Sequence, residues 1–263
     1  MLRGDYYKDY LASRVISQGK QILNHGNEFY DKVYYQTTED LTKLAALDLK
    51  DKDVIAVQSS SDHLFTSRYC GAKSTETFDF NRLTIFYYYL RKWSIEYMGE
   101  ILPNIFSKNW LWKCIKQVEC KTPMEKNAFD YYFNHLKDGT NFVKLFYNID
   151  VQPDGNTPYR TAEELKPFIE EDPRFYVRNI FLPLTPHKQY DVADMSNILD
   201  WARGDKYKIT VARDNLDKLL RPDGVVFCSY IVSRNMDTEE EIFAEKFVKE
   251  NNPFSQTYTY HRK

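Results

Sequence analysis

Apolar and polar positions along the chain fall into blocks that switch between a strand period and a helix period. Val54–Val57 is a short apolar run between the charged turn Asp48–Asp53 and the polar run Gln58-Ser59-Ser60-Ser61-Asp62. That is the pattern of a strand buried on both faces. A helical segment follows and ends at Gly71, a residue suited to a helix C-terminus. Thr75–Phe80 predicts a second strand with an acid, Asp79, near its end. Arg82–Met98 predicts a long helix whose apolar face carries Leu83, Phe86, Tyr87, Leu90 and Ile95 as core packing. From Pro103 to Pro158 the rhythm breaks. Helical segments at Asn109–Val118, Pro123–Leu136 and Thr140–Asn148 come without a clear strand. Thr161 predicts the cap of a short helix to Glu170. The alternation then resumes with strands at Phe175–Leu182 and Tyr190–Ser196. After these come a helix at Lys206–Leu220 closed by Arg221-Pro222-Asp223-Gly224, a strand at Val225–Val232, a helix at Glu239–Glu250 and an edge strand at Gln256–Tyr260. Ahead of all of this, Asp5–Leu23 and Thr38–Leu47 predict two helices.

Strands separated by helices call for an α/β fold, a doubly wound and mostly parallel Rossmann-like sheet with N-terminal helices and a helical insertion. The expected division is an N-terminal helical cap over residues 1–50, a core over 51–102 and 174–263, and an insertion over 103–173 that serves as lid or substrate wall. The chain holds 21 Tyr and 17 Phe against 9 Gly, which argues for an ordered, helix-rich globule. A net charge of −2 gives no electrostatic support to a nucleic-acid partner. The longest apolar block, Leu83–Leu90, is too short for a transmembrane segment, and the first ten residues carry no apolar leader, so a cytoplasmic location is expected. Cys70, Cys114, Cys120 and Cys228 are scattered without metal spacing and read as reduced thiols, with no metal site expected.

The unit from Val54 to Asn81 is strand, tight turn, helix, strand and terminal acid, the order of a βαβ unit that binds a nucleoside. The turn and the helix N-terminus would meet the polar end of the ligand, and Asp79, about 20 residues beyond, would take the ribose hydroxyls. The dinucleotide fingerprint needs glycines in that turn, and here stand serines. A diphosphate would meet their side chains, whereas a ligand without phosphates can be held by amides and hydroxyls. S-adenosylmethionine (SAM), with an amine and a carboxylate on its tail, fits that turn better than NAD(P).

Further along, Tyr190–Trp201 (YDVADMSNILDW) is similar to the fourth strand of class I SAM-dependent methyltransferases, and Leu219–Ile231 resembles their passage from helix through a Pro-Gly turn into the fifth strand. The ending TYTYHRK looks like their final strand. A narrower likeness is to the betaine-lipid synthesis family of SAM:diacylglycerol 3-amino-3-carboxypropyltransferases and its relatives. Their Y-x-Q-x-x-E-D motif is matched by Tyr34, Gln36, Glu39 and Asp40. Their first turn, S-x-G-D-N, stands against Ser59-Ser60-Ser61-Asp62-His63, and their D-x-N-P against Asp79-Phe80-Asn81-Arg82. The similarity covers about Val33 to Met98 well and Tyr190 to Tyr230 more loosely. Ser61 replaces a glycine, His63 an asparagine and Thr38 a tryptophan, so the acceptor does not carry over.

The resemblance implies a SAM-dependent transferase that moves a methyl or a 3-amino-3-carboxypropyl group to a small-molecule or lipid-like acceptor. The alternatives are a non-catalytic Rossmann-like binding or partner protein and an NAD(P)-linked oxidoreductase. On this reading Gln58, Ser59, Ser60, Ser61 and Asp62 face the methionine tail, with Asp62 pairing its amine, unless Asp62 is only the helix cap. Asp79 holds the ribose, unless it merely caps the next helix. Phe80 and Leu182 sandwich the adenine, Asn81 follows in the same motif, and Ser196 and Asn197 lie near the sulfonium. Where the acceptor carries a proton a base is needed, and His63, Asp194, Tyr35 and Glu39 are the candidates. For His63 the ordinary alternative is a solvent-facing helix histidine.

Overall fold

The computed structural model describes residues 32–37, 39–147, 157–202, 205–229, 236–250 and 257–263. Its frame is a seven-stranded sheet of β1 (Asp53–Val57), β2 (Ser74–Asp79), β3 (Arg174–Val177), β4 (Tyr190–Asp194), β5 (Leu220–Ser229), β6 (Phe247–Glu250) and β7 (Thr257–Arg262). Their order across the sheet is β3-β2-β1-β4-β5-β7-β6. The pairings among β1 to β5 are parallel, and β7 runs antiparallel to both β5 and β6. This is a doubly wound, mostly parallel Rossmann-like sheet. The strand order reverses between β1 and β4, which opens a crevice at their C-terminal ends.

β1 is apolar on both faces because both are covered. Ile55 and Val57 join Phe78, Ala193 and Cys228 on one side, while Val54 joins Val192 and Phe227 on the other. The helices are α1 (Asp62–Tyr69), α2 (Leu83–Trp93), α3 (Lys108–Ile115), α4 (Pro123–Lys137), α5 (Lys206–Leu219) and α6 (Met236–Phe243). α2 continues as a π-helical turn, Ser94–Met98, and stops at Gly99 in the left-handed region (φ 68°). Its tyrosines Tyr87, Tyr88 and Tyr89 are buried core, packed on Phe146 and Phe175. α3 and α4 begin with side-chain caps from Ser107 and Thr122. α4 lies on α2 through Trp93–Tyr132 and Phe86–Tyr131 contacts. A two-residue parallel pairing joins Val33–Tyr34 to Phe146–Tyr147 and ties the N-terminal segment to this aromatic layer.

Several expected elements change. The third strand stops at Val177, and residues 178–189 form no helix or strand. Of the expected helix Thr140–Asn148, whose last residue lies outside the described residues, Phe142–Leu145 is a 3-10 turn and the chain then extends at Phe146, because pairing with Val33 takes that backbone. Thr161 does cap a helix, in a capping box with Glu164, but the α-helix ends at Leu165. Arg221-Pro222-Asp223-Gly224 lies inside β5, where the register shifts against β4. A Cβ on Gly224 would stand 2.9 Å from the Arg221 carbonyl oxygen. The helix from Glu239 stops at Phe243, and Phe247–Glu250 is a strand, since pairing with β7 overrides its helical pattern. Thr38–Leu47 contains a single helical turn, Thr42–Ala45, while Asp5–Leu23 and Thr38 itself lie outside the described residues. Among the described residues no helix is long and apolar enough to cross a membrane, and no group of three or more His, Cys, Asp or Glu could hold a metal ion.

Candidate active site

β1, β2 and β4 end at a cleft of about 590 Å³, counted to its open mouth. Six of the sequence-predicted residues line it: Ser59, Asp79, Phe80, Asn81, Ser196 and Asn197. Val33, Tyr34, Val57 and Ile198 complete an apolar wall. Tyr34 was legible as part of the Y-x-Q-x-x-E-D match, whereas nothing in the sequence singled out Val33 or Ile198.

The turn after β1 keeps a glycine-like backbone with serines in it. Ser59 sits at φ 38° and Ser61 at φ 74°, and across the cleft Ser196 sits at φ 51°. Each residue with a side chain in that region costs about 1–2 kcal/mol. Compensation at Ser61 is local. Its N–H donates to the Gln58 carbonyl and its Oγ accepts from Gln58 Nε2, both at 2.6 Å. Gln58, Ser60 and Ser61 are therefore buried supports of the turn and do not line the cleft.

Asp79 occupies the end of β2, where the carboxylate accepts the Ser59 N–H (3.0 Å) and the Asn81 N–H (2.8 Å). Burial pushes its carboxyl up to about 6, against the pull of those backbone donors. It does not cap α2. Asn81 does, with Oδ1 accepting the Leu83 N–H at 3.0 Å, while its Nδ2 holds the Lys32 carbonyl.

Asp62 is placed elsewhere. One oxygen accepts from Arg91 Nη1 (2.7 Å) and Tyr159 OH (2.8 Å), the other from Ser60 Oγ (2.7 Å) and the Thr37 N–H (2.8 Å). Burial alone would raise its carboxyl, but Arg91 and the hydroxyls hold it below the usual carboxylate range. The helix cap is Ser61, not Asp62. Asp62 thus pins the turn to α2, to Tyr159 and to the N-terminal segment, and offers no spare oxygen to a ligand amine. Sequence reading missed Arg91 and Tyr159. A cation on the wholly buried face of α2 was the available signal for the first, and none existed for the second.

Leu182 is 60% exposed on the segment after β3 and does not reach the cleft. Tyr35 also points away. Its hydroxyl donates to the Pro103 carbonyl at 2.7 Å, and burial pushes the phenol up to about 12. The remaining three base candidates form one buried cluster behind the cleft floor. His63 Nδ1 lies 2.7 Å from Asp194 Oδ2 and Nε2 lies 3.6 Å from Glu39 Oε2, so the histidine is buried rather than solvent-facing. Burial opposes its charge, yet the two carboxylates raise it to about 9. Asp194 Oδ1 accepts the Ser196 N–H at 3.1 Å, and the Ser196 hydroxyl donates to Glu39. Burial raises the Glu39 carboxyl against the pull of His63, and its Oε2 has no hydrogen-bond partner among the described residues. The charged imidazole holds two acids in place, and only Ser196 carries the cluster into the cleft.

No family model and no curated protein matches the sequence. Similar solved structures include a TehB-like SAM-dependent methyltransferase from Corynebacterium glutamicum, at 9% identity over 96% of this chain and 98% of that one, with TM-score 0.44. The N-methyltransferase NodS from Bradyrhizobium japonicum is similar at 9% identity over 84% of this chain and 92% of its own, with TM-score 0.41. The magnesium protoporphyrin IX methyltransferase ChlM from Synechocystis, solved with bound SAM, is similar at 8% identity over 100% of this chain and 86% of its own, with TM-score 0.37.

Proposed function

We propose that the cleft binds SAM and that the protein is a SAM-dependent transferase acting on a small-molecule or lipid-like acceptor. The observation that carries this reading is the Asp79 carboxylate facing a cleft at the β1/β4 reversal, between two left-handed serine turns. The residues present fit the cofactor. Asp79 has lone pairs left for two ribose hydroxyls, and Phe80 with Ile198 gives the adenine an apolar wall. Ser59, Ser196 and Asn197 supply polar contacts toward the methionine part. Bound SAM would supply an electrophilic carbon on its sulfonium, either the methyl or the first carbon of the 3-amino-3-carboxypropyl chain.

The protein's share is then alignment, exclusion of water and removal of a proton. His63 already carries its proton, with Nδ1 bound to Asp194, and both Asp194 oxygens are engaged, so neither is the base. Glu39, with its raised pKa, takes that role through Ser196. An acceptor proton passes to Ser196 Oγ as the serine proton moves to Glu39.

Calorimetric titration with SAM and S-adenosylhomocysteine tests the reading, on the native protein and on Asp79→Ala. Micromolar binding that weakens by roughly 1–3 kcal/mol in the variant is expected. Absence of binding to either compound overturns it. Binding without transfer to any acceptor would favour the non-catalytic alternative, for which the serines held at positive φ in the first turn are the supporting observation.

A further inference from the structure

β3 and β4 run parallel in one sheet, yet residues 178–189 join them without a helix. A parallel crossover usually carries a helix that covers the sheet face beneath it. Here the irregular segment and the end of α5 leave a cavity against that face, about 410 Å³ counted to its mouth. Ile55, Phe78 and Tyr176 form its floor, with Ile180, Leu184 and Leu219 around them. It shares no lining residue with the cleft that holds Asp79.

The polar groups of this cavity are unevenly used. Glu76, beneath it, is spent on its neighbours: Oε2 accepts from Tyr176 OH and Tyr190 OH at 2.7 Å each and lies 3.1 Å from His187 Nε2, and Oε1 takes Lys188 Nζ at 3.0 Å. Among the described residues no carboxylate lines the cavity itself. Arg178 does line it. Its backbone N–H is fixed to the Asp79 carbonyl at 2.9 Å, and its guanidinium has no partner among the described residues. An apolar floor with one unspent guanidinium at the rim is complementary to a small anion with an apolar body.

We propose that this cavity is a second binding site, for a small apolar monocarboxylate whose body lies on the Phe78–Tyr176 floor and whose carboxylate pairs with Arg178. The reading is independent of what the first cleft binds.

The probes are hexanoate and, as its uncharged counterpart, 1-hexanol, titrated into the full chain and followed by backbone amide NMR shifts. Saturable shifts confined to residues 174–190 and the end of α5 are expected with hexanoate. Arg178→Gln, at an exposed position, should melt like the native protein and bind hexanoate about tenfold more weakly, with 1-hexanol unaffected. Leu184→Trp, which fills the cavity, should remove both. The proposal is overturned by an absence of saturable shifts, by hexanoate affinity unchanged in Arg178→Gln, or by shifts that map to the Asp79 cleft.

Discussion

Arg91 Nη1 and Asp62 Oδ1 meet at 2.7 Å in the middle of the molecule, the arginine side chain with no solvent exposure and the aspartate with 4%. The same nitrogen donates to the Ser60 carbonyl, and the guanidinium lies 4.8 Å above the Phe65 ring. The pair fixes the turn that borders the cleft to the helix behind it. Removing one partner leaves the other charge buried and uncompensated, which costs roughly 3–5 kcal/mol. Arg91→Met should therefore unfold in urea at a much lower midpoint than the native protein. Combining it with Asp62→Asn should recover part of the loss. A single variant within about 1 kcal/mol of native would show that the pair does not hold the turn.

The raised pKa of Asp79 gives ligand binding a pH signature. Ribose hydroxyls donate to an ionised carboxylate, so binding must drive off the proton that burial retains up to about pH 6. Affinity for S-adenosylhomocysteine should be flat above that pH and fall by up to about tenfold per unit below it. In Asp79→Asn the affinity should be lower throughout and the slope absent. A native profile flat from pH 5 to 8 would exclude Asp79 from the ribose site.

Ser59 holds φ 38° with no side-chain hydrogen bond among the described residues, and it lines the cleft. Glycine takes that backbone without strain and keeps the N–H that Asp79 accepts. Ser59→Gly should raise stability by about 1 kcal/mol, seen as a higher urea midpoint, with cofactor affinity equal or better. A destabilised Ser59→Gly would mean that the hydroxyl contributes more than the backbone costs.

His63 makes stability depend on pH in the alkaline direction. Its folded pKa, about 9, lies above the free value of 6.5, so its contribution is complete below 6.5 and is lost as pH rises through 9. That contribution is on the order of 3 kcal/mol. The melting temperature should fall between pH 6.5 and 9, and the fall should be much shallower in His63→Gln. Equal slopes in the two proteins would show that the imidazole is neutral between its acids.

The parallel core was legible because its signals are local. Val54–Val57 is apolar throughout, Gly71 ends α1, and Asp79 follows the turn at the spacing that a βαβ unit needs. The wall of the cleft nearest β2 and β4 followed from that register. What was not legible depends on partners far away in the chain. Phe247–Glu250 is a strand only because β7 lies beside it, and nothing near Glu39 announces that it will meet His63 and Ser196. Tyr35 and Tyr34 differ by one position, and only the pairing of Val33–Tyr34 with Phe146–Tyr147 decides which faces the cleft. The adenine role expected of Leu182 needs a third strand that reaches it, and β3 stops five residues short.

The length of chain between β2 and β3 has a kinetic consequence. β2 pairs with β1 through a connection of a few residues plus one helix, but its other neighbour, β3, is separated from it in the chain by residues 80–173. During refolding or synthesis β2 must therefore wait as an open edge while the aromatic layer on α2 assembles, a long-range closure of the kind that slows folding. An open edge invites pairing with other chains. Ahead of Phe78 β2 carries Thr75, Glu76 and Thr77, and a charge within a strand discourages that pairing. In the finished sheet the same Glu76 is covered by two phenols and a lysine, so the residue that guards the edge early becomes a bracket across β2, β3 and β4 once β3 has docked.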